Sequence, residues 1–144
     1  MPIRRKSEQN EKVSLQSFYL ELTEDANNVA SVSIGNDMLA FIDMVNQTFK
    51  DTEIWALTSL YRLVLQKDDR WGSEWYIIVN SLGDNQYHFE YLLPADKRPW
   101  SKARVTGDVT SLEEAKKYLL IAMKECGGWT GNSELQKLLR DHNL

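Results

Sequence analysis

The chain has 144 residues, enough to bury about two thirds of its unfolded surface around one core without disulfides or metals. Hydrophobic residues make up 42% and charged residues 26%, a globular balance that excludes disorder of the whole chain. The formal net charge is −4. Arg4, Arg5, Lys6 and Lys12 against Glu8 and Glu11 leave +2 on the first twelve residues, so the rest carries −6, which repels phosphate and disfavours nucleic-acid binding by the domain as a whole.

A single cysteine, Cys126, permits no internal disulfide and points to a reducing compartment. The opening MPIRRKSEQNEK carries charge with no apolar segment behind it, which is not the pattern of a secretory signal. No apolar run approaches the roughly 20 residues that span a bilayer. The expected location is therefore the cytoplasm.

Residues 1–12 are polar and aperiodic and read as a flexible N-terminal leader, with 13–144 as a single α+β domain. In SFYLELTEDANNVASVSI, Ala30, Val32 and Ile34 alternate with Ser31 and Ser33, the pattern of a half-buried strand. Leu15, Phe18, Tyr19 and Leu22 also fit a helical stripe. The alternation favours a hairpin over 13–34. Gly35-Asn36-Asp37 breaks the pattern. Met38, Phe41, Ile42, Val45 and Phe49 then follow with helical spacing and predict a helix over 37–50.

From Ile54 to Leu93 the chain is rich in aromatic and β-branched residues. Three strands are expected, at 57–66, 74–80 and 86–93, separated by KDDRWGSE and NSLGDN. Short polar loops between such strands make an antiparallel meander. Tyr87, Phe89, Tyr91 and Leu93 line one face of the last strand; His88, Glu90 and Leu92 line the other. After Pro94, the basic connection KRPWSKARVTGD includes a short strand candidate at 103–106. Trp100 in it is expected to tuck into the core. Ser111-Leu112-Glu113-Glu114 is a capping box opening a helix over 112–125, and Gly127-Gly128 closes it. Residues 133–141 suggest a further short helix. The expected fold class is thus α+β, an antiparallel β-meander sheet with helices packed on one face.

Cys126 ends a helix, where the dipole opposes a thiolate, so a small buried residue is the better reading. His88 and Glu90 share one strand face and could form an oriented base, but no nucleophile motif accompanies them. No metal-ligand spacing or phosphate-binding loop is present, so no catalytic residue, metal or cofactor is expected. Lys97, Arg98, Lys102 and Arg104 around Trp100 could follow a single strand of nucleic acid. The loop with Asp68, Asp69, Trp71 and Glu74 sets an aromatic among carboxylates in a predicted turn, a composition suited to a protein interface.

The stretch WYIIVNSLGDNQYHFEYLLPADKRPW, followed by SLEEAKKYLLIAMKECGGW, resembles small bacterial immunity proteins of contact-dependent inhibition and polymorphic-toxin systems. The resemblance covers roughly residues 54–129 and rests on element order, aromatic richness and acidity. It implies a compact cytoplasmic domain that binds a toxin domain and blocks it without chemistry of its own. The expected function is accordingly a non-catalytic binding protein, partnered by a basic, nuclease-type toxin through Asp68, Asp69, Trp71 and Glu74. The alternative is a regulatory or single-stranded nucleic-acid-binding module using residues 97–104.

Overall fold

The computed structural model describes residues 3–7, 13–69 and 76–144. In chain order it contains β1 (Ile3–Arg5), α1 (Leu15–Thr23), α2 (Val29–Thr48), β2 (Ile54–Ser59), β3 (Arg62–Gln66), β4 (Tyr76–Gly83) and β5 (Gln86–Leu92). A single 3-10 turn (Ala95–Lys97), β6 (Arg104–Val109), α3 (Leu112–Cys126) and α4 (Ser133–Asp141) complete it. The strands form one six-stranded sheet in sequence order. β1 joins β2 in parallel, and every later pair is antiparallel. The fold class is α+β.

The segment 13–34 is helical and not a hairpin. Ser14 caps α1 by accepting from the Ser17 backbone N–H, and Asn28 caps α2 in the same way from Ser31. Those caps start two helices whose apolar stripes meet. A five-residue alternation of Ala, Ser, Val, Ser and Ile is compatible with either period, and packing decides it. Gly35 is the reason the predicted break at 35–37 is no break. A Cβ there would come within 2.7 Å of the Tyr19 carbonyl oxygen and the Thr23 methyl, so only glycine lets α1 cross α2 this closely. The helix expected at 37–50 therefore starts eight residues earlier, at Val29, and ends at Thr48.

The strand expected at 57–66 is two strands, β2 and β3, folded at Leu60-Tyr61 with Ser59 opposite Arg62. Leu60 takes φ +57°, a left-handed conformation that a bulky side chain adopts at a cost of about 1–3 kcal/mol. No glycine or asparagine marks this turn, which hides it from the sequence. Inside the stretch read as a flexible leader, Ile3–Arg5 forms β1. Ile3 is buried opposite Ile54, and the Ile3 N–H donates to Asn46 of α2 at 3.1 Å. Lys6, fully buried, donates its ammonium to Gln66 of β3 and its N–H to the Ala56 carbonyl, which docks the other end.

The later elements follow the sequence closely. Ser111 accepts from the Glu114 N–H and opens α3, and Gly127 at φ +83° ends it. β5 alternates as expected, with Tyr87, Phe89 and Tyr91 buried. The Phe89 ring meets Phe41 of α2 at 6.1 Å and Tyr118 of α3 at 5.9 Å, so the two helices share one aromatic neighbour on the sheet. Ile54, Ala56, Leu63, Leu65, Ile77 and Val79 complete the sheet side of the core. No helix among the described residues is long and apolar enough to cross a membrane.

Candidate functional site

Of the loop residues nominated by the sequence, Trp71 and Glu74 lie outside the described residues. Asp68 and Asp69 lie two and three residues after β3 and are half-buried. Asp69 accepts from the Ser7 backbone N–H at 2.8 Å and from the Ser7 hydroxyl, and these two bonds hold its carboxyl below the usual range. It ties the segment just after β1 to the segment just after β3.

His88 and Glu90 stand on one face of β5, as expected, but each pairs with β6. His88 Nδ1 bonds the Asp108 carboxylate directly across the strands, and Glu90 receives Arg104 Nη1 at 3.0 Å. Cys126 is buried, and burial pushes its thiol up to about 11. No group of three His, Cys, Asp or Glu among the described residues could hold a metal ion. Trp100 is 71% exposed, contrary to the expectation that it joins the core. The 3-10 turn and Arg98 explain why: Arg98 Nε donates to the Leu93 carbonyl at 2.6 Å, which pins the connection at its start and leaves Trp100 at its tip.

A different region gathers what a binding surface needs. β2 and β4 run towards the same end of the sheet, so the turns after them, at Leu60-Tyr61 and Asp84-Asn85, emerge together. Asp84 and Asn85 both have positive φ (52° and 63°), the backbone that matches a hairpin's twist. Both turns are fastened to the helical hairpin. The Tyr19 hydroxyl of α1 donates to the Tyr61 carbonyl at 3.2 Å. The Asp84 N–H donates to Ser33 Oγ of α2 at 2.9 Å, and the Asn85 N–H donates to the Asp37 carboxylate at 3.1 Å.

At this end Val29 is 81% and Leu60 84% exposed, with Leu20, Tyr61 and Leu82 about half exposed. These are five of the seven large hydrophobic side chains most exposed among the described residues; Trp100 and Tyr118 are the others. Scattered exposed hydrophobics are ordinary, but their concentration at one end is informative. Glu21, Glu24, Asp25 and Asp84 surround them, all exposed. Residues 13–48 carry five carboxylates and no Lys or Arg. The cation nearby, Arg62, donates to Ser59 Oγ at 3.3 Å.

This apolar, acid-rimmed end escapes a reading of the sequence because it joins residues from three separate segments. The missing lysines and arginines across 13–48 are the signal that could have pointed to it. No known family, curated protein or solved structure matches the chain.

Proposed function

We propose that this protein is a non-catalytic binding protein, and that it acts as an immunity protein by masking a basic toxin domain. The observation that carries the reading is the end formed by Leu20, Val29, Leu60, Tyr61 and Leu82 within a carboxylate rim. Apolar anchors supply affinity once water is excluded, and the surrounding negative charge steers a positive partner and sets the encounter rate. The strained Leu60 fits the same reading, since a left-handed leucine at a turn tip holds an apolar side chain outward at a cost the rest of the fold must offset.

The loop at Asp68, Asp69, Trp71 and Glu74 is proposed as a second contact region. The helices are proposed to cover a single face of the sheet, in keeping with Phe89 touching both α2 and α3. His88 and Glu90 stand on the other face, where Trp55, Leu57 and Val64 are partly exposed and Gln66 and Ile78 are buried. The proposed location is the cytoplasm.

The test is neutralisation. A basic nuclease-type toxin domain, sought in the reading frame next to the one that encodes this chain, is co-expressed with it, and growth is scored for wild type, Leu60→Asp with Val29→Asp, and Glu24→Lys with Asp25→Lys. The apolar pair should weaken binding by about 2 kcal/mol, roughly thirtyfold, and abolish rescue. The charge pair should slow association at low salt and converge on wild type as salt rises. Folded variants that all rescue like wild type would sink the proposed surface. A wild-type chain that rescues no neighbouring toxin would sink the immunity reading.

A further inference from the structure

β6 is the long edge of the sheet: among the described residues no strand pairs with its far side, whereas the opposite edge, β1, has three residues. An exposed edge of six residues is normally blunted by charged side chains, by proline or by a bulge. β6 reads Arg-Val-Thr-Gly-Asp-Val, with no proline and an unbroken register against β5, and Arg104 and Asp108 are its only charges. Its charges are opposite in sign and placed symmetrically about Thr106. Arg104 lies two residues before Thr106 and Asp108 two residues after. We infer that β6 pairs with β6 of a second copy, antiparallel about a two-fold axis at Thr106, joining two six-stranded sheets into one.

In that register Thr106 faces its own copy, and Arg104 of each chain faces Asp108 of the other. The two side chains are 47% and 64% exposed while paired internally with Glu90 and His88. Arginine has five N–H donors and a carboxylate about four acceptor sites, so each can hold several partners at once. The flanks extend the match. Lys97, Arg98 and Lys102 precede the strand with no carboxylate from Lys97 to Arg104, and Glu113 and Glu114 follow it with no cation between Val105 and Glu114. Antiparallel pairing sets the basic start of each chain against the acidic end of the other, twice.

The buried side agrees. Val105 of one copy comes opposite Gly107 of the other. Gly107 has no Cβ because Tyr118 already fills that position, which a Cβ would meet at 2.9 Å. Beside them Val105, Gly107, Tyr118 and Ile121 line an apolar cavity of about 240 Å³ at this edge. The two-fold axis makes the cavities of the two copies neighbours and covers Tyr118. The β6 edge is a different surface from the apolar end around Leu60 and Val29.

Sedimentation of the full chain, from micromolar to near-millimolar concentration, should show a dimer that weakens as salt rises. Asp108→Arg and Arg104→Asp each oppose like charges across the pair and should raise the dissociation constant about tenfold or more. The combined Arg104→Asp, Asp108→Arg chain should regain dimerisation. Thr106→Cys should form an intermolecular disulfide on mild oxidation, because directly opposed Cβ atoms approach to about 4.5 Å, the upper end of the disulfide range, and small strand movements close the rest. Asp108→Cys should not link to itself, and buried Cys126 leaves the readout clean. A wild-type chain that stays monomeric throughout overturns the inference, as do single variants that dimerise normally or a combined variant that stays monomeric while folded. If the charge variants fail to fold, the Thr106→Cys and Asp108→Cys pair decides alone, and equal linking or no linking overturns it.

Discussion

Glu134 shows how a single carboxylate can organise a loop. It stands in the first turn of α4 and accepts from the Lys50 N–H at 2.7 Å, the Thr52 N–H at 3.0 Å and the Thr52 hydroxyl at 2.6 Å, with the Asp51 N–H at 3.2 Å. These donors belong to the link between α2 and β2, so one side chain fixes the path from helix to sheet. Burial alone would raise its pKa, but the hydrogen bonds outweigh that and the net shift is downward. A carboxyl held lower in the folded state than in the unfolded one stabilises at pH above its unfolded value of about 4.3, and that stability is lost as pH falls through the folded value. Glu134→Gln removes the charge and one strong acceptor, and should cost about 2 kcal/mol at neutral pH. Denaturant unfolding of both proteins between about pH 7 and about pH 3 should show the gap closing on the acid side. A gap that stays constant with pH would mean the charge contributes nothing.

At the scale of elements, the joint between α2 and the β4–β5 hairpin rests on Asp37. Its buried carboxylate accepts from Ser81 Oγ at 2.6 Å and from the Asn85 N–H, and its backbone carbonyl accepts from the Tyr87 hydroxyl at 2.7 Å. Asp37→Ala strands a buried hydroxyl and a turn N–H, and should lower unfolding stability by about 3 kcal/mol. Asp43→Ala, on the exposed side of the same helix, loses only its bond with Gln47 and should change stability by less than about 0.5 kcal/mol. Equal losses in thermal or denaturant melts would remove Asp37 from this role. The same helix marks where sequence reading succeeds and stops. Its stripe from Met38 to Phe49 is legible because it is buried against one neighbour with helical period. Its first eight residues are not, because Gly35 looks like a terminator until Tyr19 and Thr23 are seen against it. α3 is legible at both ends, since Ser111, Glu114 and Gly127 are local signals that need no tertiary partner. The β2–β3 turn is illegible for the opposite reason: tertiary packing imposes a left-handed leucine that no local rule favours. Of the nominated contact residues, Asp68 and Asp69 are legible as an acidic pair, but the tie to Ser7 depends on β1, a strand that the polar, aperiodic sequence of residues 1–12 does not signal.

For the molecule as a whole, closure of the sheet joins distant parts of the chain. β2 pairs with β3 and β4 with β5 through tight turns, whereas β1 reaches β2 only after α1 and α2 have folded back between them. Long-range, edge-placed pairing is paid last in folding and opens first in the native state. Amide exchange should therefore be faster at Lys6, whose N–H donates to the Ala56 carbonyl, than at Val79 or Phe89 in the central strands, and by at least about tenfold. Matching protection across these amides would mean that β1 belongs to the global unfolding unit. The cation-free helical hairpin has a practical bearing on how a partner would be located. Trypsin cuts after Lys or Arg, and between Lys12 and Lys50 there is neither, so α1 and α2 emerge from digestion as one long acidic peptide. Amine-directed cross-linkers have no lysine to capture there. Mapping a complex at this end calls for carboxylate-directed coupling and a glutamate-specific protease, for which Glu21 and Glu24 supply the sites.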